Sequence, residues 1–159
     1  MAVSVKLELC LPRDTATVPL VRHVLKHTLL ELGVTRRCVA DVELAVTEAC
    51  ANVVEHAVGD DEYELRVEVD EPPPKCTIRV VDTGRGFDHE ALADGTVLDA
   101  DGERGRGLGL IQALVDQVDF ESAPERGTVV HLVKRLELQP ETLFRTNGQA
   151  TRSENRPFP

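Results

Sequence analysis

The chain has no tryptophan, one tyrosine and only four phenylalanines among its 159 residues. A core cannot be assembled around aromatic rings and must come from Val, Leu, Ile and Ala, and no aromatic platform is present for stacking single-stranded bases. Positive charge is also scarce, with 18 Lys and Arg against 28 Asp and Glu and a formal net charge of −10. That balance argues against direct binding of nucleic acid through its phosphates, which needs clustered Lys and Arg. No uninterrupted apolar run approaches the roughly 18 to 20 residues of a membrane span, and the N-terminus carries no charged segment followed by an apolar one. The expectation is a soluble, cytoplasmic protein without a membrane partner. Cys10, Cys38, Cys50 and Cys76 are widely scattered, without CxxC spacing or neighbouring His. They read as reduced, partly buried thiols rather than zinc ligands.

What is present is a sequence of readable periods, and the length suits one core. Val3, Val5, Leu7, Leu9 and Leu11 alternate with polar residues, which predicts a strand over 3–11. A helix follows, capped by Asp14 or Thr15, with Pro19 in its first turn and Val21, Val24, Leu25, Thr28, Leu29 and Leu32 at helical spacing up to Gly33. A longer helix over 35–57 carries Val39, Val42, Val46, Ala49 and Val53 as one stripe, which must face a sheet. Tyr63, Leu65, Val67 and Val69 alternate with charges, Pro72, Pro73 and Pro74 break the chain, and 76–81 reads as a strand returning beside the last. Residues 83–107, rich in Gly and Asp, read as a long loop, 108–115 as a helix and 128–136 as a final strand. The expected organisation is one domain over 1–137 and a disordered tail over 138–159. Its fold class is α+β, a two-layer α/β sandwich in which helices cover one face of a mixed, mostly antiparallel sheet.

Three groups of residues carry chemistry. On the long helix, Glu48 and Asn52 are i, i+4 neighbours beside the apolar stripe, so a carboxylate and a carboxamide share one strip. Alone, such a pair is equally a solvated polar face. Asp82 closes the apolar strand 76–81 and is followed by Gly84, Gly86 and Phe87. It places an acceptor at a pocket floor beside backbone that a ligand can approach closely, though a plain Asp-Thr-Gly turn reads the same way. Gly105, Arg106, Gly107, Leu108 and Gly109 precede a helix, where free N–H groups and the helix dipole suit phosphate oxygens. No Gly-Lys-Ser or Gly-Lys-Thr follows, so this is not a Walker motif.

The ordered set, ExxxN on a helix, DxGxGF after a strand, GxGLGL opening a helix, and Gly127-Thr128 before the last strand, resembles the N, G1 and G2 boxes of GHKL ATPases across residues 3–136. The compact length and the helical N-terminal run resemble, within that superfamily, the anti-sigma factor serine/threonine kinases. The resemblance implies the Bergerat fold, ATP and Mg2+ as cofactors, and phosphorylation of a serine or threonine on a STAS-type antagonist by a protein that also sequesters a sigma factor. It leaves a homodimer open. It implies that Asn52 coordinates Mg2+, that Glu48 orients or deprotonates the attacking hydroxyl, and that Asp82 reads the adenine amine with Thr128 in support. Gly84 and Gly86 would close the adenine side, while Gly105, Gly107, Leu108 and Gly109 would present backbone to the phosphates, flanked by Arg85, Arg104 and Arg106.

It further implies that Arg22, early in the first helix, meets a protein partner; a solvated helix charge would look the same in sequence. His56 reads as a packed histidine, and His23, His27, His89 and His131 as surface or strand residues without metal or triad spacing. Two rival functions stay open, an ATP-dependent interaction switch without phosphotransfer and a detached histidine-kinase catalytic domain acting in trans.

Overall fold

The computed structural model describes residues 3–56, 62–82, 103–123 and 127–140. Along the chain these form β1 (Val3–Pro12), α1 (Thr17–Glu31), α2 (Arg36–His56), β2 (Glu62–Glu71), β3 (Lys75–Asp82), α3 (Glu103–Leu114), β4 (Gln117–Ala123) and β5 (Gly127–Arg135). The strands build one sheet in the order β1-β2-β3-β5-β4. Every described pairing is antiparallel, so the expectation of a mixed sheet is corrected.

Alternation decides which face is dry. On β2, Tyr63, Leu65, Val67 and Val69 are buried, and on β3, Cys76, Ile78, Val80 and Asp82 are, whereas Arg66 and Arg79 between them are exposed. Each inward apolar residue adds about 1.5–3 kcal/mol when fully buried, which sets the register because a one-residue slip would exchange the faces. The predicted α2 stripe of Val39, Val42, Val46, Ala49 and Val53 is wholly buried, and Val21, Leu25 and Leu29 of α1 join the same core. The helices therefore form one layer and the sheet the other.

The ends of elements differ from expectation in four places. α1 has Ala16 at its N-cap position and no side-chain cap; Asp14 instead accepts from Ala16 N at 2.8 Å, and its carbonyl accepts from the Thr17 hydroxyl at 2.6 Å. α3 starts at Glu103, so the glycines at 105 and 107 lie inside the helix instead of in a loop ahead of it. Gly in a helix costs about 1 kcal/mol relative to Ala, and packing against α2, with Ile111 fully buried, offsets that cost. β4, for which the sequence suggested no element, is an edge strand whose apolar residues are Val118 and Phe120. Finally the chain stays docked beyond Glu137, since Thr35 N donates to Glu137 O and Gln139 N to Gly33 O, both at 2.8 Å, around a bridge of Val34 with Leu138. Gly33 supports that corner with a φ of 84°, a left-handed conformation that side chains disfavour. Residues 141–159 lie outside the described residues.

Candidate functional site

α2 delivers Glu48 and Asn52 one turn apart, both half-buried, because Val46, Ala49 and Val53 beside them hold that side of the helix against the core. α3 crosses at this point. A Cβ built on Gly107 would stand 3.0 Å from Glu48 Oε2, 3.8 Å from Asn52 Nδ2 and 3.9 Å from Asn52 Oδ1. A side chain at 107 would press on the Glu48 carboxylate and move it by a few tenths of an ångström, so glycine keeps the present approach of α3 to α2 undisturbed. Gly109, one position pair further on, faces open space. Leu108 is half-buried.

Another expected site residue stands at the end of β3. Asp82 is 1% exposed, which a carboxylate tolerates only where polar groups or a ligand compensate its lost hydration. Tyr63 stands opposite it on β2 and Thr128 on β5. The register thus sets position 128 beside position 82 along the sheet.

Other expected site residues are placed less fully. Gly84, Arg85 and Gly86 lie outside the described residues, and Arg104, Gly105 and Arg106 are described as backbone of α3. Arg22 is half-exposed on α1, and its Nε lies 3.7 Å from Glu43 Oε1 of α2, an oxygen also approached by Lys26 Nζ at 3.9 Å.

Sequence reasoning missed the polar cluster under the site. The Thr17 and Tyr63 hydroxyls are 2.8 Å apart although 46 residues separate them, and the buried Cys50 thiol, from between Glu48 and Asn52 in α2, lies close to Tyr63. Burial pushes the Cys50 thiol and the Tyr63 hydroxyl each up to about 12, so both stay protonated and serve as packing and hydrogen-bonding groups, not nucleophiles. The signal was a tyrosine at an inward position of an alternating strand, since a buried phenol needs a partner. Also missed was the approach of His23 to His27, whose ring centroids are 4.4 Å apart; their spacing of four is a full helical turn.

A cavity of about 260 Å³ opens at the other end of α2, lined by Arg37, Asp41, Asp116, Lys134 and Glu137 among others. Three of its charged groups are paired locally: Lys134 Nζ meets Asp41 Oδ2 at 3.2 Å and the Leu114 carbonyl at 2.7 Å, and Asp116 accepts from Arg135 N at 2.6 Å. Among the described residues no group of three or more His, Cys, Asp or Glu is placed to hold a metal ion, and no helix is long and apolar enough to cross a membrane.

The geometry has counterparts among known proteins. Residues 11–134 match the histidine kinase-like ATPase domain. The chain is 31% identical to the serine-protein kinase RsbW of Halalkalibacterium halodurans, over 94% of this chain and 95% of that one. It is also 31% identical to the anti-sigma F factor of Pasteuria penetrans, over 67% and 75%. Among solved structures, the RsbU and RsbW domains of a Mycobacterium tuberculosis protein align with a TM-score of 0.64 at 22% identity, over 83% of this chain and 32% of that one. The SiaB-SiaC complex of Pseudomonas aeruginosa aligns with a TM-score of 0.60 at 14% identity, over 80% and 88%. These two likenesses concern the fold.

Proposed function

The chain belongs to the histidine kinase-like ATPase family and, within it, to the ATP-binding serine-protein kinases of the RsbW and anti-sigma F type; from that premise we propose that Glu48, Asn52 and Asp82 carry ATP-dependent phosphorylation of a STAS-type antagonist, and that the protein sequesters a sigma factor. The observation that carries the reading is the convergence of Glu48, Asn52 and Gly107 at the crossing of α2 and α3.

Each residue has a task set by its chemistry. The buried Asp82 carboxylate accepts from the exocyclic amine of adenine, which guanine replaces with a carbonyl, with Thr128 opposite it in the sheet. The resemblance assigns Gly84 and Gly86, outside the described residues, to the adenine side, and Gly105, Arg106, Gly107, Leu108 and Gly109 to the phosphate side. The Asn52 carboxamide oxygen fits a hard cation that takes few protein ligands, and the missing side chain at Gly107 leaves room beside it. Mg2+ held there would neutralise phosphate charge. Glu48 accepts the proton of the attacking serine hydroxyl as that oxygen bonds the γ-phosphorus and ADP departs.

The same reading takes 1–137 as the ATP-binding kinase domain with an appended segment over 138–159, Arg22 as a partner contact and a cytoplasmic site of action. The test is incubation of the purified chain with γ-labelled ATP and STAS-type antagonists. Acid-stable label on a serine or threonine is the expected result. Absence of label with intact ATP-dependent binding would point to an interaction switch, and acid-labile label on histidine to a histidine kinase acting in trans.

A further inference from the structure

We propose that His23 and His27 form a two-imidazole chelating site on α1 for a divalent transition-metal ion of the Zn2+ or Ni2+ class. The sequence HVLKH puts the two side chains one turn apart, and residues at i and i+4 share a helix face. The structure goes further than the spacing, since the rings already touch edge to face at a centroid separation of 4.4 Å. Two nitrogens bound to one tetrahedral zinc at about 2.0–2.1 Å lie about 3.3 Å apart, so side-chain rotation alone brings both rings onto one ion.

The backbone beneath is fixed in advance. Both histidines sit in interior turns of the 15-residue α1 rather than at its ends, and Val21, Leu25 and Leu29 on the opposite side are at most 1% exposed. A rigid helix holds two ligands together before the metal arrives, which lowers the entropic cost of chelation. The neighbouring cations do not occupy the strip: Arg22 and Lys26 reach across to Glu43 of α2, at 3.7 and 3.9 Å.

Both imidazoles are exposed, and no third ligand stands beside them among the described residues. Water therefore completes the coordination shell, and affinity is modest. Ligand type sets selectivity: imidazole suits Zn2+ and Ni2+, whereas Mg2+ takes oxygen, so the magnesium that serves a nucleotide does not compete. A bound ion would brace α1 and add positive charge to the face that carries Arg22.

The test is thermal unfolding of the untagged full chain with NiCl2, ZnCl2 or MgCl2, for the wild type, His23→Ala and His27→Ala. Both substitutions lie on an exposed helix face and favour helix, and far-UV circular dichroism checks that the variants fold. Ni2+ and Zn2+ should raise the wild-type Tm by about 4 °C for each tenfold excess over Kd, EDTA should reverse the rise, and either substitution should abolish it. An equal rise in either variant, no rise in the wild type, or the same variant-dependent rise with Mg2+ would overturn the proposal.

Discussion

Gly107 of α3 stands against Glu48 of α2 with no room for a methyl group: a Cβ at position 107 would meet Glu48 Oε2 at 3.0 Å. The obstacle is the mobile end of a side chain, so Gly107→Ala displaces the carboxylate by a few tenths of an ångström instead of breaking the core. Ala also favours the helix over Gly by about 1 kcal/mol. The expected outcome is an unchanged or slightly raised Tm together with phosphotransfer reduced about tenfold or more, since a general base acts only within hydrogen-bond reach. Glu48→Gln, measured beside it, should slow transfer about 10²- to 10⁴-fold with near-normal ATP affinity. A Gly107→Ala variant that transfers phosphate at full rate would show that the approach of α3 to Glu48 does not bear on transfer.

Asp82 closes β3 in a buried position. Asp82→Asn keeps the shape of the side chain but replaces one acceptor with a donor, which cannot accept from adenine and a neighbouring donor together. Loss of a buried hydrogen bond costs about 1–3 kcal/mol, so calorimetric titration should show ATP affinity lowered by about 5- to 150-fold. Affinity equal to wild type would place the adenine elsewhere.

Alkaline pH should destabilise the fold. Burial raises the Cys50 and Cys76 thiols from 9.0 to about 12 and the Tyr63 hydroxyl from 10.0 to about 12. The unfolded chain therefore loses these protons first, and between the two values it binds fewer protons than the folded one. The stabilisation is fully present below about pH 9 and falls as pH rises towards 12, by about 1.4 kcal/mol per pH unit for each group inside its window. Urea unfolding from pH 8 to pH 11 should show this decline, with a shallower slope in Cys76→Ala. A flat profile in the wild type would contradict the burial of these groups.

Arg22 shares Glu43 with Lys26. An exposed pair of this kind contributes about 0–1 kcal/mol, and Lys26 remains to serve Glu43, so Arg22→Ala should leave Tm and ATP affinity within error. If a partner carboxylate takes the guanidinium, truncation costs about 2–5 kcal/mol of that binding. A titration with the cognate sigma factor or antagonist showing equal affinity for variant and wild type would leave Arg22 as a surface residue of α1.

The features legible from sequence are those written in local periods. The alternation of Val3 to Leu11 and of Tyr63 to Val69, and the stripe from Val39 to Val53, repeat because one face of each element is dry, so β1, β2 and α2 could be drawn close to their observed bounds. The pairing of Glu48 with Asn52, and the place of Asp82 at a strand end, follow from the same periods. Tertiary structure decided what periods do not encode. The glycine-rich stretch at 103–107 is helical because α2 and the buried Ile111 hold it, against glycine's own preference. β4 exists because β5 offers it an edge, and two apolar residues leave too short a pattern to read. The meeting of Gly107 with Glu48, and of Thr17 with Tyr63, joins residues far apart along the chain. Side-chain identity at each position was visible in advance, but contact between distant positions arises only when burial of the common core brings α1, α2 and α3 over one sheet.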